Sequence, residues 1–231
     1  MMPEWIGYGV EPLAEKYTSL SSYTYVANNP ILYLDKDGRE IWLSIVISDD
    51  NGTSGIQLLQ FKNNKLYDAS GKIYQGNNDF AVKVQNDLNT LSQDDKVLGG
   101  MINDLVQSDQ IHVIEMTDKP SDGNSNSPLS GQDDKNGKPT GTLTKYNPDK
   151  HETISKDKRS PRVGLTHELL GHGRDSDKGK TDFNKTSNGI PMYEVNVVNV
   201  ENRARATTGD SKRTEYGGKP IPPDLLNDNP K

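Results

Sequence analysis

Apolar residues are sparse along this chain and fall into short patterned blocks separated by polar stretches. Ile41-Trp42-Leu43-Ser44-Ile45-Val46-Ile47 is a β-branched run, Ile56 to Phe61 is another, and Lys62-Asn63-Asn64-Lys65 turns into Leu66-Tyr67-Asp68. These blocks predict a small β-meander. The period then changes. Phe80, Val84, Leu88 and Leu91 recur at helical spacing over Asp79 to Leu91, as do Val97, Leu98, Met101, Ile102, Leu105 and Val106 over Asp94 to Val106. Two amphipathic helices should follow the meander. Ile111 to Met116 alternates as a strand, with His112 expected to be partly exposed and not a ligand. Thr117 to Lys138 has no period and is dominated by Ser, Asp, Asn, Gly, Lys and Pro, so it predicts a long loop. Gly141 to Asn147 regains strand character, placed to form a sheet edge on which an extended substrate would lie. His151 falls in a charged stretch and should be solvated. Ser160-Pro161 opens a further helix, Gly173 to Gly189 is polar loop, and Pro191 to Ala206 reads as a helix ending before Gly209, despite valines that would suit a strand. Lys219 to Lys231, with four prolines, reads as an unstructured polar tail.

Composition narrows the function. Hydrophobic residues make up 31% of 231, so long polar loops are expected. A net charge of -6 with no basic stripe argues against nucleic acid as a partner. With no cysteine, disulfides and thiolate metal sites are excluded. No apolar run is long enough to span a membrane, and Met1 to Ala14 lacks the pattern of a signal peptide.

The chemistry concentrates in Gly164-Leu-Thr-His167-Glu168-Leu-Leu-Gly171-His172-Gly173, where two of the 4 histidines flank a glutamate. In His-Glu-x-x-His, residues four apart share a helix face, so both imidazoles reach one metal while the glutamate activates water. His167 and His172 are five apart. On an ideal helix that leaves the rings about 140° apart, too far to share an ion. A π-type turn would reunite them, and Gly171 is where such a distortion is tolerated. Burying three ionisable groups among leucines is costly unless a metal compensates. The alternative is a plain helix end capped at Gly173. A third ligand must come from elsewhere. Glu194 and Glu201 lie 22 and 29 residues beyond His172 and share a helix face. About 10 Å separates them, so only one ligates and the other supports. Glu194, in the first turn after Pro191, is the better placed, with Glu201 as its rival.

Three resemblances extend this reading. His167 to His172, His-Glu-Leu-Leu-Gly-His, is similar to the zinc motif of the dipeptidyl peptidase III family, and Val200-Glu201-Asn202-Arg203-Ala204 to that family's zinc-binding helix. Pro12-Leu-Ala-Glu-Lys-Tyr17, Tyr23-x-Tyr25, Asn28-Asn-Pro30 and Asp37-Gly-Arg39 resemble the C-terminal end of the RHS-repeat-associated core, where a cocoon-like shell gives way to a variable toxin; Lys36 departs from its usual proline. Glu201-Asn202-Arg203-Ala204-Arg205 with Gly209, Arg213, Thr214 and Tyr216 is similar to the NleD-like effector metallopeptidases. The inserted Gly171 and the short gap between Glu194 and Glu201 depart from that pattern. The resemblance implies a glutamate before the Glu-Asn pair as third ligand, mapping to Glu194.

Together these imply an α+β, zincin-like (gluzincin-like) metallopeptidase domain over residues 40–217. A fragment of RHS core would precede it at 1–39, and a Pro-rich polar tail would follow at 218–231. The expected cofactor is Zn2+, held by His167, His172 and Glu194, with Glu168 as general base. Arg213 and Tyr216 would stabilise the oxyanion. Expected partners are a protein substrate in a target cell, a cognate immunity protein and the RHS shell. Such a polymorphic toxin would be secreted or delivered into another cell's cytoplasm. The competing expectations are a zinc exopeptidase, for which the chain is too short to build the two-lobed cleft, and a non-catalytic binding module.

Overall fold

The computed structural model describes residues 40–48, 54–153 and 157–227. The RHS-like segment therefore lies outside the described residues, as does Met1 to Ala14.

Alternation in β1 (Glu40–Ser48) turns Ile41, Leu43 and Ile45 to one face, where all three are buried. β2 (Ser54–Lys62) pairs with it antiparallel, and the left-handed Asn63 and Asn64 turn the chain into β3 (Lys65–Tyr67). This is the expected meander. Two helices follow. The side chain of Asn78 caps α1 (Asp79–Asp94) at the Ala81 amide, and Asp95 caps α2 (Lys96–Val106) at Val97 and Leu98. Their apolar stripes, Phe80, Val84, Leu88 and Leu91 with Leu98, Met101, Ile102 and Leu105, cover the buried face of β1. The chain then re-enters the sheet as β4 (Ile111–Met116), parallel to β1 with Leu43 opposite Ile114. A helical crossover of this kind is what a parallel pair requires.

The stretch expected to be a loop contains structure. β5 (Ser125–Pro128) and the short α3 (Gly131–Lys135) lie within it. β6 (Thr142–Tyr146) pairs parallel with β4 and antiparallel with β5, giving a mixed sheet of order β3-β2-β1-β4-β6-β5. The strand expected at the edge is thus interior, and the edge is β5. Its Ser-Asn-Ser-Pro sequence carries no apolar alternation because the ladder and Asn126 Nδ2, which donates to Thr144 Oγ1 at 2.8 Å, hold it.

The remaining helices complete the layer on the sheet. A continuous helical rod comprises α4 (Pro161–Leu165), a π-helical segment (Thr166–Gly173) and α5 (Arg174–Asp177). Val163, Leu165, Leu169 and Leu170 bury its underside in the main core. Its far end is locked by a buried cluster: Asp177 accepts from Ser108 Oγ and from His112 Nε2 (3.1 Å), while His112 Nδ1 meets Thr142 Oγ1 at 3.0 Å. His112 is therefore fully buried, contrary to the exposure expected of it, and serves packing. α6 (Met192–Thr208) begins after Pro191 and stops at Gly209 in the left-handed conformation (φ 72°). Its valines tolerate a helix because Val195, Val197, Val198 and Val200 are all buried. Beyond it, β7 (Glu215–Tyr216) and β8 (Lys219–Pro220) form a small hairpin. Residues expected in a loose tail are packed: Ile221 joins Ile190, Val195 and Val198, and Asn199 exchanges hydrogen bonds with Leu225 O and the Asn227 amide. Proline content misled there, because a single buried isoleucine and one asparagine anchor the segment.

Candidate metal centre

The π segment resolves the spacing of the two histidines. Widening the helix over Thr166–Gly173 brings His167 and His172 to one side, their ring centroids 5.1 Å apart and nearly perpendicular. Gly171 makes the arrangement fit against α6: a Cβ there would meet Val197 Cγ1 at 2.5 Å. From α6, Glu194 points at both rings, its Oε2 lying 3.4 Å from His172 Nε2 and 3.8 Å from His167 Nε2. One ligand atom from each of the three falls within 4.8 Å of the others.

Glu201 does something different. Fully buried two turns further along α6, its Oε2 accepts from His167 Nδ1 at 2.8 Å and from Arg213 Nη1 at 3.0 Å, and its Oε1 accepts from Arg205 Nε at 2.8 Å. Burial alone would raise its pKa, but His167 and the two guanidiniums outweigh that and hold the carboxyl well below the usual range. An ionised acceptor at Nδ1 fixes the proton there and leaves the Nε2 lone pair facing Glu194. For His172, burial pushes the pKa down, yet the Glu194 carboxylate 3.4 Å away brings it out above the ordinary value.

Glu168 lines the same cleft, about 510 Å³ in volume, and is 8% exposed. Tyr216 stacks parallel to His167 at 6.4 Å, and burial followed by its interaction with Glu194 raises its pKa strongly, so its hydroxyl remains a donor. Arg213 lines the cleft as well, but its guanidinium is engaged: Nη1 on Glu201, Nε on the Glu215 carbonyl at 3.0 Å, and its carbon 5.1 Å above the Tyr216 ring. That geometry braces Tyr216 and Glu201. Further cleft walls come from β5 and from Tyr193, whose ring packs edge-on against His172 at 5.8 Å. Sequence reasoning missed Tyr193 although it adjoins Glu194.

The donors fit a metal ion. Glu194 Oε2 is buried without a hydrogen-bond partner among the described residues, and it faces two imidazole nitrogens. Such an acceptor is costly to bury unless a cation meets it. Two imidazoles and a carboxylate are a donor set that accepts a divalent ion with a position left open.

The model of the Peptidase_M91 family, described as effector protein, matches residues 68–222, more than half of the chain. The chain belongs to that family. It is a peptidase effector, and the matched span contains every cleft residue named above. Comparison with curated proteins gave no match. The M91 domain has a mixed α+β architecture, and among its described residues no helix is long and apolar enough to cross a membrane.

Proposed function

We propose that this M91 domain is a zincin-like, zinc-dependent endopeptidase that forms the C-terminal toxin of an RHS-repeat protein. It would hydrolyse peptide bonds of a protein in a target cell. The observation that carries the reading is the convergence of His167 Nε2, His172 Nε2 and the partnerless Glu194 Oε2 across a π-helical turn. A zinc ion held by these three residues would supply Lewis acidity, activating water and polarising the scissile carbonyl.

The protein's own groups then have defined work. Glu168 takes the proton of the attacking water and returns it to the leaving amine. Tyr216 donates to the carbonyl oxygen as charge develops on it. Glu201 holds His167 in one tautomer, and Arg213 holds both Glu201 and Tyr216 in place. β5, an edge strand among the described residues, lies beside the cleft and suits an extended peptide that adds to the sheet through its backbone. The RHS resemblance of residues 12–39 supports delivery inside a shell, with an immunity protein guarding the producing cell.

Elemental analysis with an activity assay tests the reading. Purified protein should carry about one zinc, lose it and its activity to a chelator, and regain both on zinc addition. Glu168→Gln should keep zinc and fold but lose proteolysis and toxicity. A metal-free protein that still cleaves, or a Glu168→Gln variant as toxic as wild type, would overturn it.

A further inference from the structure

One cleft wall contains a cation that the mechanism above does not use. Arg159, just before α4, lines the cleft and is 8% exposed. Among the described residues its buried Nε has no hydrogen-bond partner and its guanidinium forms no ion pair within 4.0 Å. Beside it stands a second unused donor. Asn124, from the segment leading into β5, spends its Oδ1 on the Asn147 amide at 3.0 Å and leaves its buried Nδ2 without a hydrogen-bond partner among the described residues. The two donors meet over Gly164. A Cβ on that residue would collide with Asn124 Nδ2 and lie 2.8 Å from Arg159 Nη2. This explains a glycine inside α4, where alanine would otherwise be the better helix former.

The neighbouring carboxylates do not answer this cation. Glu201 is saturated by His167, Arg205 and Arg213. Glu168 acts on Arg159 through space but makes no ion pair with it. A buried guanidinium with spare N–H groups, next to a spare amide N–H, presents donors only, and donors only are what an oxyacid anion needs. An apolar or cationic group there would leave every one of them unsatisfied.

Resting on the peptidase reading, we propose that Arg159 and Asn124 form an anion subsite that binds an oxyacid side chain of the substrate close to the scissile bond. A carboxylate of Asp or Glu and a phosphorylated hydroxyl share the required chemistry. The guanidinium would take the anion through its N–H fork while Asn124 Nδ2 closes the remaining side.

The test uses the zinc-loaded full chain and two matched randomised peptide libraries, one containing Asp, Glu and phosphoserine, the other Asn, Gln and Ser. Cleavage products are read by mass spectrometry. Wild type should enrich an anionic residue at one fixed position from the cut by about tenfold or more. Asp or Glu enrichment assigns a carboxylate, and phosphoserine enrichment a phosphate. Arg159→Gln should lose the enrichment while cutting the neutral library at the wild-type rate. Asn124→Asp keeps the oxygen that accepts from Asn147 and supplies Arg159 with an internal carboxylate, so it should also lose the enrichment and melt higher than wild type.

Cleavage without positional enrichment, or enrichment surviving in Arg159→Gln, overturns the subsite. Equal loss of both libraries in Arg159→Gln overturns it too, since that would mean Arg159 serves the chemistry. Wild type that cuts neither library counts against the peptidase reading, and a second arm without turnover then judges the subsite. Inorganic phosphate should raise the melting temperature of wild type saturably over chloride at equal ionic strength, but not that of Arg159→Gln or Asn124→Asp. Identical shifts in all three proteins overturn it.

Discussion

Glu201 Oε2 receives the Nδ1 proton of His167 at 2.8 Å, so a carboxylate on one helix sets which nitrogen of a histidine on another helix is free. Glu194, two turns away on α6, aims at both imidazoles an oxygen that has no hydrogen-bond partner among the described residues. The two glutamates therefore differ in what their removal does.

Glu194→Ala should be purified largely without zinc. Glu201→Gln should retain zinc with affinity or activity lowered about 10–100-fold, the usual cost of losing a residue that orients a ligand. Zinc titration against a competing chelator measures both. The reverse order would make Glu201 the ligand and Glu194 its support.

Gly171→Ala should lower stability by about 1–3 kcal/mol, because the new methyl collides with Val197 in a packed interface. Val197→Ala in the same chain should recover part of that loss. Urea unfolding of the two single variants and the double variant gives the coupling. Additive losses would show that the contact does not set the helix separation.

Asp177→Ala leaves His112 and the Ser108 hydroxyl without their shared acceptor. A cost of about 1–3 kcal/mol is expected for stranding buried polar groups, with little effect on zinc content, since the cluster lies beyond the end of the π segment. Loss of zinc in this variant would show that the anchor transmits to the metal ligands.

Acid should destabilise the domain partly through Asp104. The hydrogen bond from Lys178, with that of Arg174, holds its carboxyl below the usual value. A folded pKa below the unfolded one gives stability that is complete above the unfolded value of about 4 and is lost as pH falls through the folded pKa. Asp104→Asn should therefore show a shallower decline of unfolding free energy between about pH 4 and pH 2 than wild type. Parallel curves would remove Asp104 from the acid transition.

The parts of this domain legible in its sequence are those whose side chains repeat with a period. Phe80, Val84, Leu88 and Leu91 announce α1, and Ile41, Leu43 and Ile45 announce β1, because each set is buried on one face. β5 gave no such signal: Ser125 to Pro128 is held by backbone pairing and by Asn126, and polar residues at an edge look like loop. The parallel register of β1, β4 and β6 was equally hidden, since period reveals a strand but not its neighbour. At the site, the spacing of His167 and His172 pointed to the π turn that the fold contains. Arg159 and Asn124 were silent, because a missing partner is a fact of three dimensions.

Taking one residue out of a regular helix turns everything beyond it by about 100° and draws it back by about 1.5 Å. The rod from Pro161 to Asp177 is fixed at both ends, by Val163 and Leu165 in the core and by Asp177 on His112. The π segment takes up the inserted residue within one wide turn, so the rod aims two imidazoles at a common point and still arrives at its far anchor in angular step. Excising Gly171 would restore the commoner His-Glu-x-x-His spelling and let the wide turn close to an ordinary α-helical one, with the anchor kept in step. In this fold the five-residue interval is a local adjustment, confined to one wide turn between two ordinary helical ends, and the buried His112 cluster beyond it keeps its place.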